Sequence, residues 1–365
     1  MERPRQVAIL IDSLLAGGAE RVVVQTASAL DRSQFLPHVL VGRHSGPLEE
    51  LLSAGGIPVT ILGRRHGFGP RALRVAYRVI RESDLLHAHK FAGSMWGVVL
   101  ARTARRPLIA HEHTFQGVRS AARTLGYRFW IGPAARRILC VSSSVAQSLL
   151  AEGVSAAKLR VVPNGVPLDV ALDRSAARAE LELDRGATVV GMLGRLREEK
   201  RHDLALQAVA RLRERGLDVV FCAIGDGPRR PELEALARRL GIADSVRWAG
   251  ERPNAGRLVR AFDVTVLCST FEGMPLAALE SLVAGVPVVA TAVGGLPELL
   301  AGGAGELVAT GDPDEVADTI ETVLREPPEL RDARGRGFEE IRARHGLDQV
   351  VRAYEQVYRE VLSER

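Results

Sequence analysis

Aromatic side chains make up only 4% of this 365-residue chain, so its cores must be assembled from Ala, Val and Leu rather than from large rings. Cysteine is equally scarce. The three present, Cys140, Cys222 and Cys268, are an odd number, and each sits in a Val/Leu/Ile run where a thiol behaves as a small hydrophobe. That excludes a disulfide framework and argues against thiol catalysis. No apolar run approaches the ~20 residues needed to cross a bilayer. The opening Met1-Glu2-Arg3-Pro4-Arg5 leads straight into a strand-like run with no signal-peptide pattern, so a cytoplasmic protein is expected.

What is present is ordinary for a folded, water-exposed chain: 46% hydrophobic and 25% charged residues with a mean hydropathy of +0.04. Neither a membrane bundle nor an acidic disordered coil has that balance. The length exceeds the ~250–300 residues at which single cores stop growing, so two domains are expected. The net charge of +5 conceals an asymmetry. Residues 1–172 carry 22 Lys and Arg against 11 Asp and Glu, whereas residues 173–365 are net negative by 6, which suggests different tasks for the two halves.

Short aliphatic runs alternate with helix-period stretches throughout, the pattern of parallel βαβ units with helices on both sheet faces. In the first half, strands are predicted at residues 6–12, 38–42, 58–62, 85–89, 108–113 and 138–142. In the second half they are predicted at 189–193, 219–225, 246–249, 264–267, 286–290 and 305–308. Between them, Val162-Pro163-Asn164-Gly165-Val166-Pro167 and the polar stretch to Arg185 read as a linker. Domains are therefore drawn at 1–172 and 173–345. The final segment, 346–365, places Val350, Val351, Tyr354, Val357, Tyr358 and Val361 at helical spacing, an apolar stripe that needs a partner surface.

The strongest constellation for chemistry is Ser269-Thr270-Phe271-Glu272-Gly273-Met274-Pro275-Leu276-Ala277-Ala278-Leu279-Glu280, which follows a strand. Pro275 suits a first helical position, so the amides near Gly273 and Met274 face an anion such as phosphate. Glu272 and Glu280 either accept bonds from sugar and ribose hydroxyls in one crevice, or merely favour the helix dipole and sit in solvent. Gly194-Arg195-Leu196-Arg197-Glu198-Glu199-Lys200 places Arg195 just past a strand's carboxyl edge and Lys200 at the next helix start, the edge where doubly wound sheets bind ligands. Two cations there can neutralise a departing diphosphate. Lys200 is the only lysine after residue 172, and its bland alternative is an ion pair with Glu198 or Glu199.

At the amino end, Gly17-Gly18-Ala19-Glu20 lacks the third glycine of a dinucleotide fingerprint and no acidic residue ends the second strand, so a hydride-transfer cofactor is disfavoured. His87-Ala88-His89 and His111-Glu112-His113 each end a strand with both rings on one face. They form a zinc cluster, a hydrogen-bonding or proton-handling group, or part of the core. Asp312-Pro313-Asp314 reads as a helix cap rather than a metal motif. Gly225-Asp226-Gly227-Pro228 borders a nucleobase or simply forms a turn. Arg119, Arg123, Arg128, Arg136 and Arg137 interleave with Tyr127, Phe129 and Trp130, and Arg64, Arg65 and Arg71 flank His66-Gly67-Phe68-Gly69. Both sets suit an anionic membrane or a phosphorylated acceptor, or are solvated faces; no nucleic-acid motif accompanies them.

Taken together, the loop at Gly17-Gly18, His113, the Pro163-Asn164-Gly165-Val166 turn, Gly194-Arg195 with Lys200, Gly225-Asp226-Gly227-Pro228, and Glu272 with Glu280 resemble the family-4 retaining glycosyltransferases of the GT-B fold, in the family's order. The resemblance implies an α/β protein of two Rossmann-like doubly wound domains facing a cleft, with the terminal helix crossing back to the first domain. It implies that Arg195 and Lys200 grip the donor diphosphate, Glu280 holds the donor ribose, and Glu272 lies near the transferred sugar. Gly273, Met274, Pro275 and Leu276 would line the phosphate and sugar site, Gly17 and Gly18 would approach the donor phosphate, and His113 would be the active-site histidine of the first domain. No metal or other cofactor is implied, only a nucleotide-sugar co-substrate, here UDP-linked. One departure is that Gly273-Met274-Pro275 shortens the family's Phe-Gly stretch, which leaves the donor sugar open.

The expected reaction is transfer of a sugar to a hydroxyl of a glycan or phosphorylated lipid, with retention and by front-face attack, because no protein nucleophile stands out. The basic half would receive the acceptor, in peripheral contact with an anionic membrane. The rivals are a sugar-nucleotide epimerase on the same architecture, a non-catalytic nucleotide-sugar-binding module, and a zinc hydrolase built on the four histidines.

Overall fold

A computed structural model describes residues 3–64, 67, 69–114, 120–309 and 311–364. The chain forms two compact units, Met1–Gly165 joined by Leu347–Arg365, and Val166–Gly346. The first passage falls inside the Pro-bracketed Asn-Gly turn. Beyond it the chain already belongs to the second unit: Leu172 N donates to Arg257 O (2.8 Å), and the helix Arg174–Glu180 buries Ala177, Arg178 and the following Leu181. The polar composition of 173–185 disguised this helix, because Arg178, its largest buried residue, is a guanidinium tied to the carbonyls of Ala261 and Asp184 and to Asp263.

The first unit is a seven-stranded parallel sheet in the order β3-β2-β1-β4-β5-β6-β7. Its strands are β1 (Arg5–Ser13), β2 (Phe35–His44), β3 (Val59–Ile61), β4 (Leu85–His89), β5 (Leu108–Glu112), β6 (Arg137–Cys140) and β7 (Leu159–Val161). The second unit is a six-stranded parallel sheet in the order β10-β9-β8-β11-β12-β13. Its strands are β8 (Thr188–Leu193), β9 (Val219–Ile224), β10 (Val246–Gly250), β11 (Val264–Leu267), β12 (Val288–Thr291) and β13 (Gly305–Val308). Both orders reverse direction beside the first strand, so each unit has a topological switch point, between β1 and β4 and between β8 and β11. The strand not anticipated is β7. It is a three-residue edge strand with Arg160 and Val161 exposed, too short and too polar to give a hydrophobic run.

The central strands are buried on both faces, and alternate residues serve different cores. In the first unit Val7, Ile9 and Ile11, with Val39, Val41, Leu85 and Ile109, face one core that also holds Val23, Val24 and Ala27 of the helix Gly18–Ala29. The terminal helix Leu347–Ser363 lays Val350, Val351, Tyr354, Val357, Tyr358 and Val361 into that same core, so the apolar stripe is covered within the first unit. Phe35 meets Tyr358 edge-on at 5.5 Å, and Glu355 Oε1 accepts from Asp31 N at 2.9 Å. The second sheet has two cores, one on the Val190, Met192 and Phe221 face and one on the Val189 and Cys222 face. Cys140, Cys222 and Cys268 are free and buried, and burial pushes each thiol up to about 12. Among the described residues, no helix is long and apolar enough to cross a membrane.

Tyr358 is fully buried and its hydroxyl is hydrogen-bonded to His87 Nδ1 at 2.8 Å. Tyr358→Ala is expected to destabilise the first unit by about 3–5 kcal/mol through the cavity it leaves. Tyr358→Phe, which removes only the hydrogen bond, should cost about 1 kcal/mol. Urea unfolding followed by hydrogen exchange of first-unit amides reads both.

Candidate functional site

The chemistry-bearing loops of the second unit lie at the carboxyl edge of its switch point. After β8 the chain runs through Gly194 and Arg195 to a single 3₁₀ turn, Glu198–Lys200, and then Arg201 takes a left-handed conformation (φ 51°) before the helix His202–Glu214. After β11 the chain runs through Ser269 to Pro275. Lys200 does not pair with Glu198 or Glu199. It reaches across the switch point to Glu272, with Nζ to Oε1 at 2.5 Å, and Ser269 Oγ donates to the same oxygen at 2.7 Å. Glu272 is buried while Lys200 is half-buried, so a buried carboxylate holds a cation whose remaining donors are open to a ligand.

The loop is fixed from both sides. Thr270 N donates to Glu199 O (2.9 Å), Thr291 Oγ1 to Ser269 O (2.6 Å), and Gly295 N to Gly273 O (2.7 Å). Gly294, at φ +59°, lies so close beneath Glu272 that a Cβ would stand 2.0 Å from its carbonyl oxygen. Any side chain there would displace the loop. Pro275 is the N-cap rather than the first helical residue. It is extended (φ −71°, ψ 126°), and Leu276 begins the helix Leu276–Val283 with no side chain capping it. The uncapped start keeps the positive end of the helix available to an anion. Met274 is buried.

Glu272 and Glu280 have different neighbours. Glu280 is buried on the Leu276–Val283 helix with its carboxylate against Gly256, where a Cβ would stand 2.3 Å from Glu280 Cδ. Arg195 is exposed, and among the described residues no carboxylate pairs with it. The Gly225-Asp226-Gly227 turn packs on the Gly194–Leu196 loop. Gly225 takes φ +138°, a Cβ on it would stand 2.1 Å from Gly194 O, and one on Gly227 would stand 2.5 Å from Leu196 O. Those glycines are required by backbone contact between two loops. Asp312 caps the helix Pro313–Leu324, accepting from Asp314 N at 2.9 Å.

The first unit has a counterpart pair at its own switch point. Gly17 precedes the helix Gly18–Ala29 without a side-chain cap, and Gly18 is exposed with open space around it. Glu20, buried in the first helical turn, accepts from Ser13 Oγ (3.2 Å) and from Lys90 Nζ (2.5 Å). Lys90 follows β4 in a left-handed conformation (φ 64°) and opens the helix Lys90–Ala104. Sequence reasoning passed over Lys90, although the carboxyl-edge argument that singled out Lys200 applies to it equally.

His87, His89, His111 and His113 form one stack on the face covered by Leu347–Ser363. Nearest ring centroids are 4.1–4.2 Å apart, and His89 Nδ1 is hydrogen-bonded to His113 Nε2 at 2.8 Å. Burial depresses all four, His87 and His113 to about 3, so the rings are neutral near pH 7. His113 is thus a neutral hydrogen-bonding group. One nitrogen from each of His87, His89 and His111 lies within 4.8 Å of the others, and these are the described residues with the geometry to hold a metal ion. Two of the basic-aromatic positions turn inward: Arg123 is buried between Glu112 and Glu152, and Tyr127 bonds Glu112. Arg64 is buried on Asp12. Arg65, His66, Phe68 and Arg119 lie outside the described residues.

The comparisons with known proteins cover both units. Residues 16–170 match the family model described as Glycosyltransferase Family 4, and residues 173–340 match the one described as Glycosyl transferases group 1. The chain is 32% identical over 303 residues to the D-inositol 3-phosphate glycosyltransferase of Mycobacterium avium (strain 104), spanning 77% of this chain and 72% of the relative. It is 31% identical over 305 residues to the 2-deoxystreptamine glucosyltransferase of Streptomyces kanamyceticus, 75% of this chain and 78% of that one. The crystal structure of Anabaena HepE in complex with UDP-glucose superposes with a TM-score of 0.87 over 98% of this chain and 100% of that chain, at 22% identity.

The neutral histidine stack fixes a pH dependence. Around pH 6.5 the unfolded chain begins to protonate these rings, while in the folded chain His87 and His113 resist until about 3 and burial holds His89 and His111 well below the usual range, so the stability is complete well above pH 6.5 and falls on acidification. Between about pH 6.5 and 5.5 the first unit should lose about 1 kcal/mol per histidine, and about 1.4 kcal/mol per further pH unit below that. Urea midpoints across that range check this, and His111→Leu should flatten the slope by one histidine's share.

Proposed function

Because the chain belongs to the family-4, group 1 glycosyltransferases, we propose that it moves a sugar from a UDP-linked donor to an acceptor hydroxyl, with retention and without a metal ion. The observation that carries this reading is the Lys200–Glu272 pair at the carboxyl edge of the second sheet's switch point, beside an uncapped helix start and the exposed Arg195. Crevices at such switch points are where doubly wound sheets take nucleotides. The UDP-glucose held by the Anabaena structure supports a UDP-sugar.

In the proposed step the bond between the anomeric carbon and the β-phosphate oxygen breaks, and the acceptor oxygen bonds that carbon on the same face. The acceptor proton passes to the departing phosphate oxygen, giving UDP and the glycoside. Negative charge grows on the diphosphate as the bond loosens, and Lys200, Arg195 and the Leu276–Val283 helix start are the groups proposed to take it up. Those groups supply what a divalent cation would otherwise supply, which supports metal independence. Glu272 is already engaged by Lys200 and Ser269, which favours front-face attack over a covalent intermediate on that carboxylate. Glu280 is the candidate partner of the ribose hydroxyls, and neutral His113 of a sugar hydroxyl. The relatives' names carry different acceptors, an inositol phosphate and 2-deoxystreptamine. For this chain the acceptor is proposed as a phosphate-bearing lipid or acidic glycan, suited to the surplus of 11 positive charges in residues 1–172.

Lys200→Ala should lower kcat by about 10²–10³ with UDP binding weakened, and Arg195→Ala should act in the same direction. A Lys200→Ala enzyme with wild-type turnover would sink the assignment. Incubation with a metal chelator should leave the rate unchanged, and a lost rate restored by divalent cations would reverse the metal-free reading. Donor alone should yield slow hydrolysis and no isomerised sugar, the product an epimerase would form.

A further inference from the structure

At the amino edge of the first sheet, opposite the loops just described for that unit, lies a cavity of about 810 Å³. Six cations line it: Arg102 and Arg105 at the end of the helix Lys90–Ala104, Arg106 before β5, Arg136 and Arg137 at the start of β6, and Lys158 before β7. One carboxylate, Glu364, answers them, and it pairs with Arg137. Arg106 donates to the carbonyl of Arg81, and Lys158 to those of Gly132 and Pro133 at 2.7 and 3.0 Å. Among the described residues no carboxylate pairs with Arg102, Arg105 or Arg136. Five positive charges are thus left without a counter-charge around one hollow. Lys158 registers the crowding: burial, then Arg136 and Arg137, hold its ammonium below the usual lysine range.

An apolar patch adjoins the hollow. Leu125, Phe129 and Trp130, on the helical segment before β6, are 55%, 63% and 37% exposed. Arg102 joins the two features, since it lines the cavity and its guanidinium stands 5.2 Å from the Trp130 ring centroid. Trp130 is anchored by Nε1 to Met95 O at 3.2 Å, and Val99, on the helix Lys90–Ala104 that carries Met95, is also exposed. A hollow of single-sign charge attracts phosphate. Exposed aromatic and aliphatic side chains beside it match the boundary between lipid headgroups and acyl chains. A small free anion would not use the second feature.

We propose that this cavity and the Leu125, Phe129 and Trp130 patch are the surface by which the protein docks on an anionic phospholipid bilayer, with lipid phosphates entering the cavity. The inference rests on the proposal that the basic first unit serves a phosphate-bearing lipid acceptor, and it assigns to the amino edge of the sheet the contact with the surrounding bilayer, not the reacting acceptor hydroxyl. The full chain is mixed with vesicles of phosphatidylcholine alone and with about 30% phosphatidylglycerol, at about 0.1 M and 0.5 M salt. Binding is expected only to the anionic vesicles and only at the lower salt. The Arg105→Glu, Arg136→Glu, Lys158→Glu triple variant should bind about 100-fold more weakly. Phe129→Ser, at an exposed position, should weaken binding with the salt dependence kept. Wild-type vesicle binding by the triple variant overturns the proposal. So does saturable binding of pyrophosphate, abolished in that variant, by a protein that ignores vesicles, which would reassign the cavity to a free phosphate compound. UDP binding, followed in parallel by thermal shift, should be unchanged in both variants and certifies their fold. Its absence in the wild type would sink the donor assignment while leaving the vesicle result standing.

Discussion

Both units depend on one device: a lysine–glutamate pair that ties together the loops flanking the strand-order reversal. In the second unit Lys200, after β8, meets Glu272, after β11; in the first, Glu20, after β1, meets Lys90, after β4. The polarity is inverted between them. In each case the carboxylate is buried and the ammonium is less so, which places the cost of desolvation on the anion and leaves the cation able to serve a second partner. A half-buried pair of this kind contributes little to folding. Its effect is positional, because it spans the place where the two halves of a sheet diverge; in the second unit it is joined there by the bond from Thr270 N to Glu199 O.

The backbone around the second pair is correspondingly tight. Gly294 under Glu272 and Gly225 against Gly194 are sites where a single methyl group would meet a carbonyl oxygen at about 2 Å. Rigidity at that edge comes from these contacts and from Thr270 and Thr291, which bind the loop to its neighbours. Preorganisation of this kind lets fixed charges act on a departing group without the structure having to rearrange as charge develops.

Much of this was legible in the sequence. Eleven of the thirteen strands began and ended within two residues of their predicted positions, because parallel strands buried on both faces are written as continuous aliphatic runs. The β2 strand extends further at its amino end, where Pro37 and His38 interrupt the run, and β7 carried no run at all. The positions of Arg195 and Lys200 followed from the carboxyl-edge rule, and those of Glu272 and Glu280 from the strand-to-helix passage around Pro275. Their partners did not: nothing local tells Lys200 to prefer a glutamate 72 residues away over two adjacent ones. The inward turn of Arg123 was equally hidden, since its counter-charges Glu112 and Glu152 come from separate elements. The four histidines were visible as two pairs, but the stack exists only because register sets His89 beside His111 on neighbouring strands.

The helix Leu347–Ser363 carries a consequence for biosynthesis. It supplies Tyr354, Tyr358 and four valines to a core whose other members are all encoded before residue 165. A ribosome finishes the second unit, Val166–Gly346, while the first still exposes the aliphatic face that this helix will cover. Vectorial synthesis ordinarily lets amino-terminal domains mature first. Here the order of completion is reversed, and the unit whose first residues are translated earlier must wait, with Phe35 and the histidine stack uncovered, until the helix Leu347–Ser363 has been translated.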